Sequence, residues 1–182
     1  MNQPAGWVSS LSDFRGAESS LILNSLGNFV RDYSSLQEFA WSEEISILKD
    51  VVGKLATPDD SAMKCGIILE YRLPYENRRP DVILLGKEAV TVLEFKSKAR
   101  ATQADQDQVA AYARDLRAYH KECHERTVYP VLVLTRAHDT RTEINGVTII
   151  SPNRLSEIIE QLPKGPDGEQ ILIERFLAGD SY

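Results

Sequence analysis

The stretch that decides the fold runs from Glu70 to Lys98. It opens with Glu70-Tyr71-Arg72-Leu73, passes through Arg78-Arg79-Pro80-Asp81, continues as Val82-Ile83-Leu84-Leu85-Gly86, and closes with Thr91-Val92-Leu93-Glu94-Phe95-Lys96-Ser97-Lys98. Val82 to Leu85 form an apolar, β-prone run, and Val90 to Lys96 alternate apolar and polar residues, so both read as strands. Gly86-Lys87-Glu88-Ala89 between them is turn-like, and the two runs are predicted to pair as an antiparallel hairpin. With the turn centred between Lys87 and Glu88, Gly86 faces Ala89, and the same count sets Asp81 opposite Glu94. Directly opposed residues share a face with Cβ atoms about 5 Å apart, where like charges repel. A cation between the two carboxylates resolves that clash. Lys96 follows Glu94 by two residues and shares its face. Two carboxylates beside one ammonium suit a Mg²⁺-type site. The plain alternative is an amphipathic hairpin with a solvated, salt-bridged face, and a one-residue slip in the turn would remove the metal reading altogether.

Outward from the hairpin, Cys65 to Leu73 is predicted as the first core strand. Strict alternation would put Ile68, Glu70 and Arg72 on one face and Ile67, Leu69, Tyr71 and Leu73 on the other, so Glu70 is a candidate to join Asp81 and Glu94. Pro74 to Pro80 reads as a polar loop. Upstream, Leu36, Phe39, Ala40, Ile45, Leu48, Val52 and Leu55 recur at helical intervals, predicting a helix over Ser35 to Leu55 with Ser35 and Glu38 in capping-box spacing. Thr57-Pro-Asp-Asp60 is a stop signal for that helix. Downstream, Thr102 is a candidate cap for a helix from Gln103 to Lys121, on which Gln108 and Tyr112 are one turn apart. A glutamine amide and a tyrosine can contact a base, sugar or phosphate; the alternative is a packed tyrosine beside an exposed glutamine. Tyr129 to Thr135 and Val147 to Ile150 read as buried strands, with a turn at Asn145-Gly146. A helix is predicted from Ser151 to Gln161 and a last one from Ile171 to Leu177. Met1 to Asn28 gives no clear pattern.

Composition narrows the function classes. The chain has 182 residues, 42% hydrophobic and 26% charged, which suits one globular domain. A net charge of −6 and a pI of about 5.2 argue against a general nucleic-acid coat protein. They leave room for a carboxylate site with local basic contacts, and Arg72, Arg78, Arg79, Lys87, Lys96, Lys98 and Arg100 are predicted to cluster around it. Two cysteines, Cys65 and Cys123, in no pairing pattern fit a reducing cytoplasm. No apolar run reaches the length of a membrane span. His120, Cys123 and His124 have zinc-compatible helical spacing but no evident fourth ligand, and they read as a polar helix end. Neither Gly53-Lys54 nor Gly86-Lys87 has the flanking residues of a P-loop.

Pro80-Asp81 followed by Glu94-Phe95-Lys96 resembles the signature of the PD-(D/E)XK nuclease superfamily, and Gln108-Val-Ala-Ala-Tyr112 resembles the Q-x-x-x-Y motif of its RecB-like branch. The wider run, with Tyr71-Arg-Leu-Pro74, Leu93-Glu-Phe-Lys96 and Pro130-Val-Leu-Val-Leu-Thr135, is similar to the nuclease-like domain at the N-terminus of bacterial proteins that continue into a P-loop helicase-like domain. The resemblance covers roughly Ser34 to Leu162. It implies an α/β fold of the restriction-endonuclease-like kind, a mixed β-sheet core flanked by helices. The corresponding division is an extension over 1–33, a nuclease-like domain over 34–162 and a linker or helix over 163–182 leading toward a helicase motor that this sequence does not contain. It further implies hydrolysis of phosphodiester bonds with Mg²⁺ or Mn²⁺, with DNA preferred to RNA as substrate, and, for the longer relatives, a role in antiviral defence. The implied residues are Asp81, Glu94 and Lys96 for catalysis. For the metal they are Asp81, Glu94 and Phe95, through its carbonyl, with Glu70 or Glu44 in addition. For nucleic acid they are Gln108, Tyr112, Arg79 and Lys98. An exposed helical glutamate is the competing reading for Glu44. A catalytically silent nucleic-acid- or protein-binding module on the same fold is the alternative for the whole.

Overall fold

The computed structural model describes residues 4–55, 61–73, 77–165 and 169–179. Its centre is a mixed seven-stranded sheet flanked by helices, in the order β1-β2-β3-β4-β5-β7-β6. The strands are β1 (Trp7–Ser10), β2 (Gly66–Leu69), β3 (Val82–Leu85), β4 (Ala89–Lys96), β5 (Thr127–Leu134), β6 (Arg141–Ile144) and β7 (Val147–Ile150). The helices are α1 (Leu11–Gly16), α2 (Ser19–Val30), α3 (Ser35–Leu55), α4 (Gln103–Tyr119), α5 (Leu155–Gln161) and α6 (Ile173–Ala178). β1 to β4 run antiparallel to their neighbours, β4, β5 and β7 are parallel, and β6 returns antiparallel on β7.

The hairpin forms in the predicted register. Val82 pairs with Leu93 and Leu85 with Val90, and the Gly86 N–H donates to the Ala89 carbonyl at 2.9 Å. Extending the ladder by one residue sets Asp81 opposite Glu94. Alternation then sorts the apolar residues into two layers. Leu93 and Phe95 face the core built by α1, α2, α3 and α5, where Phe14, Ile22, Trp41, Leu48 and Ile159 are buried. Val90 and Val92 face the core built by α4 and α6, with Val109, Leu116 and Phe176. Each fully buried side chain of this size contributes about 1.5–3 kcal/mol through removal from water.

Several sequence expectations need correction. β2 stops at Leu69, four residues short, because Glu70 adopts φ 54°. A non-glycine residue there costs about 1–2 kcal/mol, and it breaks the alternation: Tyr71 and Leu73 join Ile68 in the α4 layer rather than Ile67 in the other. β2 is also not the first strand, since β1 pairs with it on the outer side. Helix α3 has the predicted bounds, but Ser34 caps it rather than Ser35, its hydroxyl accepting from the Gln37 N–H at 3.2 Å. Helix α4 has the expected Thr102 cap, in a reciprocal capping box with Asp105, and ends at Tyr119, two residues early. The Ser151–Gln161 prediction resolves into a 3₁₀ turn, Pro152–Arg154, followed by α5. The last helix starts two residues later than expected, at Ile173. Asn145 and Gly146, at φ 51° and 79°, make the turn between β6 and β7, a pairing the sequence reading did not include. The predicted turn over 57–60 and residues 74–76 of the predicted loop lie outside the described residues.

The segment left without a pattern in the sequence is built into the fold. The Lys49 ammonium donates to the carbonyls of Phe14, Arg15 and Ala17, locking the end of α1 onto α3. At the other terminus, the Ile171 N–H donates to the Gly86 carbonyl, and Phe176 is fully buried against Tyr71 and His120. His120 is held between the Phe176 carbonyl and the Glu122 N–H. Burial pushes the Cys123 thiol up to about 12, so it is inert as a thiolate. Among the described residues no helix is long and apolar enough to cross a membrane.

Candidate active site

Four acidic residues converge at the end of the sheet where β2 and β4 finish and β3 begins, with Glu94 turned toward α4 and Glu44 supplied by α3. Asp81 lies at the mouth of β3. Its Oδ2 accepts the Phe95 N–H at 2.7 Å, which fixes the carboxylate against the adjacent strand. Glu94 is 4% exposed, so nearly all of its carboxylate is out of water. Its Oε1 accepts from the Lys96 ammonium at 3.0 Å and from the Gln108 amide at 2.8 Å. Its Oε2 is buried with no partner among the described residues. An orphaned buried carboxylate oxygen is costly, and natural proteins keep one chiefly where a ligand, ion or water completes it.

The two further candidates separate cleanly. Glu70 is buried and both its oxygens are engaged: Oε1 by the Trp41 indole N–H at 2.8 Å, Oε2 by the Arg79 guanidinium at 2.7 Å. Its N–H also donates to the Asp81 carbonyl at 3.0 Å. Glu70 therefore braces the site, with one hydrogen bond on each of its oxygens. Glu44, half-buried one turn after Trp41 on α3, makes no hydrogen bond or ion pair among the described residues. It lies within the electrostatic reach of Glu70 and Glu94. The exposed-glutamate reading of Glu44 does not hold.

The electrostatics follow from this crowding. Burial, then the charges of Glu70, Glu94 and Glu43, raise the Glu44 carboxyl well above its ordinary range. Burial, then Glu94 and Glu44, do the same to Asp81, against the pull of the Phe95 N–H. Asp81 keeps part of its surface open, which tempers the effect there. Glu94 is raised by burial, with the Lys96 charge and hydrogen bond and the backbone N–H of Asp81 opposing, and the Glu70 charge adding to the rise. Partial burial works against the Lys96 ammonium, but Glu94, Asp81 and Asp105 more than offset it, and its pKa stands above the usual lysine value. Carboxyls raised by burial and by one another, beside a firmly charged ammonium, make this cluster a candidate functional site.

The residues expected to contact nucleic acid fare differently. Gln108 bridges Glu94 and the Tyr112 hydroxyl, the latter at 2.9 Å. Tyr112 is 3% exposed, under the Arg78 guanidinium, and burial lifts its hydroxyl to about 12. The Tyr112 ring is covered in this arrangement, and the Gln108 amide links its hydroxyl to the Glu94 carboxylate. Arg79 is taken by Glu70. Lys98 donates to both oxygens of Asp105 at 2.9 Å. Burial works against the Asp105 carboxylate, yet Lys98 and the Thr102 N–H and hydroxyl bring it down to about 2. Lys87 is not near the carboxylates at all; it sits in the β3–β4 turn, at the other end of the hairpin.

Among the described residues, no three His, Cys, Asp or Glu side chains form a ready metal cage. Mg²⁺ does not require one: it retains several waters and is commonly held by one or two carboxylates plus substrate phosphate. Asp81 and the free Oε2 of Glu94 match that donor set, with Glu44 in reserve. A cavity of about 850 Å³ opens elsewhere, beside Lys87, Thr91, Tyr129 and Leu162. It lies on the opposite sheet face and at the opposite end of β4 from Glu94, and none of the four carboxylates lines it. Chemistry rather than volume therefore locates the candidate site. No family model matches this chain, and neither a curated protein nor a solved structure does.

Proposed function

We propose that the chain is a divalent-metal-dependent nuclease of the PD-(D/E)XK kind, acting on DNA in preference to RNA. The observation that carries this reading is the hairpin register, which sets Asp81 opposite Glu94 while Lys96 and Gln108 hold one Glu94 oxygen and leave the other buried and free. Asp81, Glu94 and the Phe95 carbonyl would hold the ion, and Glu44 is the better placed additional ligand. A bound Mg²⁺ or Mn²⁺ supplies Lewis acidity and lowers the pKa of water at the scissile phosphate. Lys96 holds a positive charge beside Glu94, where negative charge grows on the phosphate as the bond to the leaving oxygen lengthens. Gln108 keeps the Glu94 plane fixed, and Glu70, clamped by Trp41 and Arg79, keeps the end of β2 and Asp81 in place. A helicase partner in a longer parent and a part in antiviral defence belong to the same proposal and rest on the sequence resemblance alone.

Titration calorimetry with Mn²⁺ at neutral pH tests the metal half of the reading. Binding by the wild type that is lost in Glu94→Gln supports it. Equal heats from both proteins would leave the free Oε2 without its assigned role and favour a catalytically silent module on the same fold.

A further inference from the structure

Most basic groups around the carboxylates already have acidic partners. Arg79 pairs with Glu70, Lys96 with Glu94, Lys98 with Asp105, Arg78 with Asp115 and Arg136 with Glu43. Arg72 and Arg31 are different: neither has an ion pair among the described residues, and both are exposed. They line one cavity of about 450 Å³, together with Gly6, Ser25, Asn28 and Phe29. This cavity adjoins the site. Gly6 donates its N–H to the Leu69 carbonyl, and a Cβ at Gly6 would lie 3.4 Å from that of Glu70.

The backbone of each arginine is fixed, and the Arg72 side chain has a further contact. The Arg72 N–H donates to the Pro4 carbonyl at 2.7 Å, and its guanidinium lies 5.1 Å from the centre of the Phe29 ring. The Arg72 side chain is thus placed over Phe29 while remaining exposed. Arg31 has φ 66° and ψ −65°, and the Asp32 N–H donates across it to the Val30 carbonyl at 2.9 Å. This is the uncommon, strained form of γ-turn, in which glycine is the undemanding choice. A strained arginine at the rim of a cavity is a conformation that folding alone does not favour. The negative end of α2 and the Asp32 carboxylate act against an anion there, but the helix end carries only about half a charge, and Asp32 is solvent-exposed. Two unpaired guanidinium groups outweigh them.

We infer that Arg31 and Arg72 form a subsite for a backbone phosphate of a nucleic-acid strand, next to the one at the carboxylates. Arg72 lies two positions beyond Glu70, at most about 7 Å along the chain, and the Glu70 N–H donates to the Asp81 carbonyl at 3.0 Å, which sets the cavity beside the carboxylates. The inference rests on the nuclease reading for its choice of ligand, and its test is separable from it.

The test is the salt dependence of binding of a fluorescein-labelled single-stranded oligodeoxynucleotide, measured by anisotropy in EDTA so that nothing is cleaved. Each phosphate contact on a single strand contributes about 0.7 to the slope of log K against log salt. Arg31→Gly should lower the slope by about 0.7 and the Arg31→Gly/Arg72→Gln double variant by about 1.4. Arg31→Gly should also raise Tm, because glycine relieves the strain, so weaker binding in that variant cannot be laid to misfolding. Unchanged slopes in the folded variants would overturn the subsite, as would a wild type that does not bind the strand. If the slopes fall as expected but the wild type shows no cleavage with Mg²⁺ or Mn²⁺, the subsite stands and the nuclease reading falls.

Discussion

At the scale of the residue, the site turns on how Glu94 divides its two oxygens. Oε1 takes both side-chain donors, Lys96 and Gln108, while Oε2 has no hydrogen-bond partner among the described residues. Lys96→Ala should therefore leave Glu94 held by Gln108 and still able to take a metal, while cleavage falls by about 10²-fold or more, the scale seen when one preorganised electrostatic donor is removed. Calorimetry and cleavage measured on the same protein separate the two effects. A variant that cleaves at the wild-type rate would make Lys96 a mere charge balance. Lys96→Arg should not restore the rate fully, since a planar guanidinium does not replace a compact ammonium. The convergence of Asp81, Glu94 and Lys96 was legible in the sequence because strand periodicity and turn length together fix which residues oppose. The sequence did not carry the hydrogen-bond partners of Gln108, Tyr112, Arg79 or Lys98. Those depend on which partner lies within reach once α4 packs on the sheet, and no local pattern encodes that.

At the scale of the element, the β3–β4 hairpin is the most legible part and its turn is the most sensitive. A Cβ on Gly86 would lie 2.8 Å from the Leu162 carbonyl oxygen and 3.0 Å from that of Ala89, both backbone atoms that cannot swing away. Gly86→Ala should cost about 1–3 kcal/mol, in line with other overpacked positions, read as a lowered midpoint in urea at unchanged slope. Thr102→Ala removes the cap of α4 and one of the bonds that hold Asp105, and should cost about 1 kcal/mol. Alternation failed at one residue, Glu70. Periodicity assumes an unbroken strand, and a non-glycine residue at positive φ is fixed by tertiary clamps, here Trp41 and Arg79, that lie far away in sequence or in a loop. The same reason explains the hidden strand β1: four residues of mixed polarity become a strand only because β2 offers an edge.

At the scale of the whole molecule, the carboxylate cluster sets a pH and metal dependence of stability. Glu44, Asp81 and Glu94 have folded-state pKa values raised above those of the unfolded chain. The folded state thus binds protons more tightly, and the stability this confers is full below the ordinary carboxylate pKa and is lost as pH rises through the folded values. Asp105 works in the opposite sense, its contribution present above the unfolded pKa and fading only as pH falls toward about 2. In EDTA, the cluster should make the protein more stable in mild acid than at neutral pH. Mg²⁺ or Mn²⁺ should raise Tm at neutral pH, where the carboxylates must ionise, and much less in mild acid. Asp81→Asn should raise the metal-free Tm and abolish the metal-dependent gain, because it removes one uncompensated charge. A Tm indifferent to metal at neutral pH would count against the site.

The central claim, that Asp81 and Glu94 form a hydrolytic metal centre, meets its most direct test in cleavage. Labelled single-stranded DNA, duplex DNA and RNA would be incubated with the wild type and with Asp81→Ala in Mg²⁺, Mn²⁺ and EDTA. The account predicts cleavage of at least one DNA substrate by the wild type with metal, none in EDTA, and none by an Asp81→Ala protein that melts cooperatively like the wild type. Metal-dependent cleavage that survives Asp81→Ala, or a wild type that leaves every substrate intact, would contradict it.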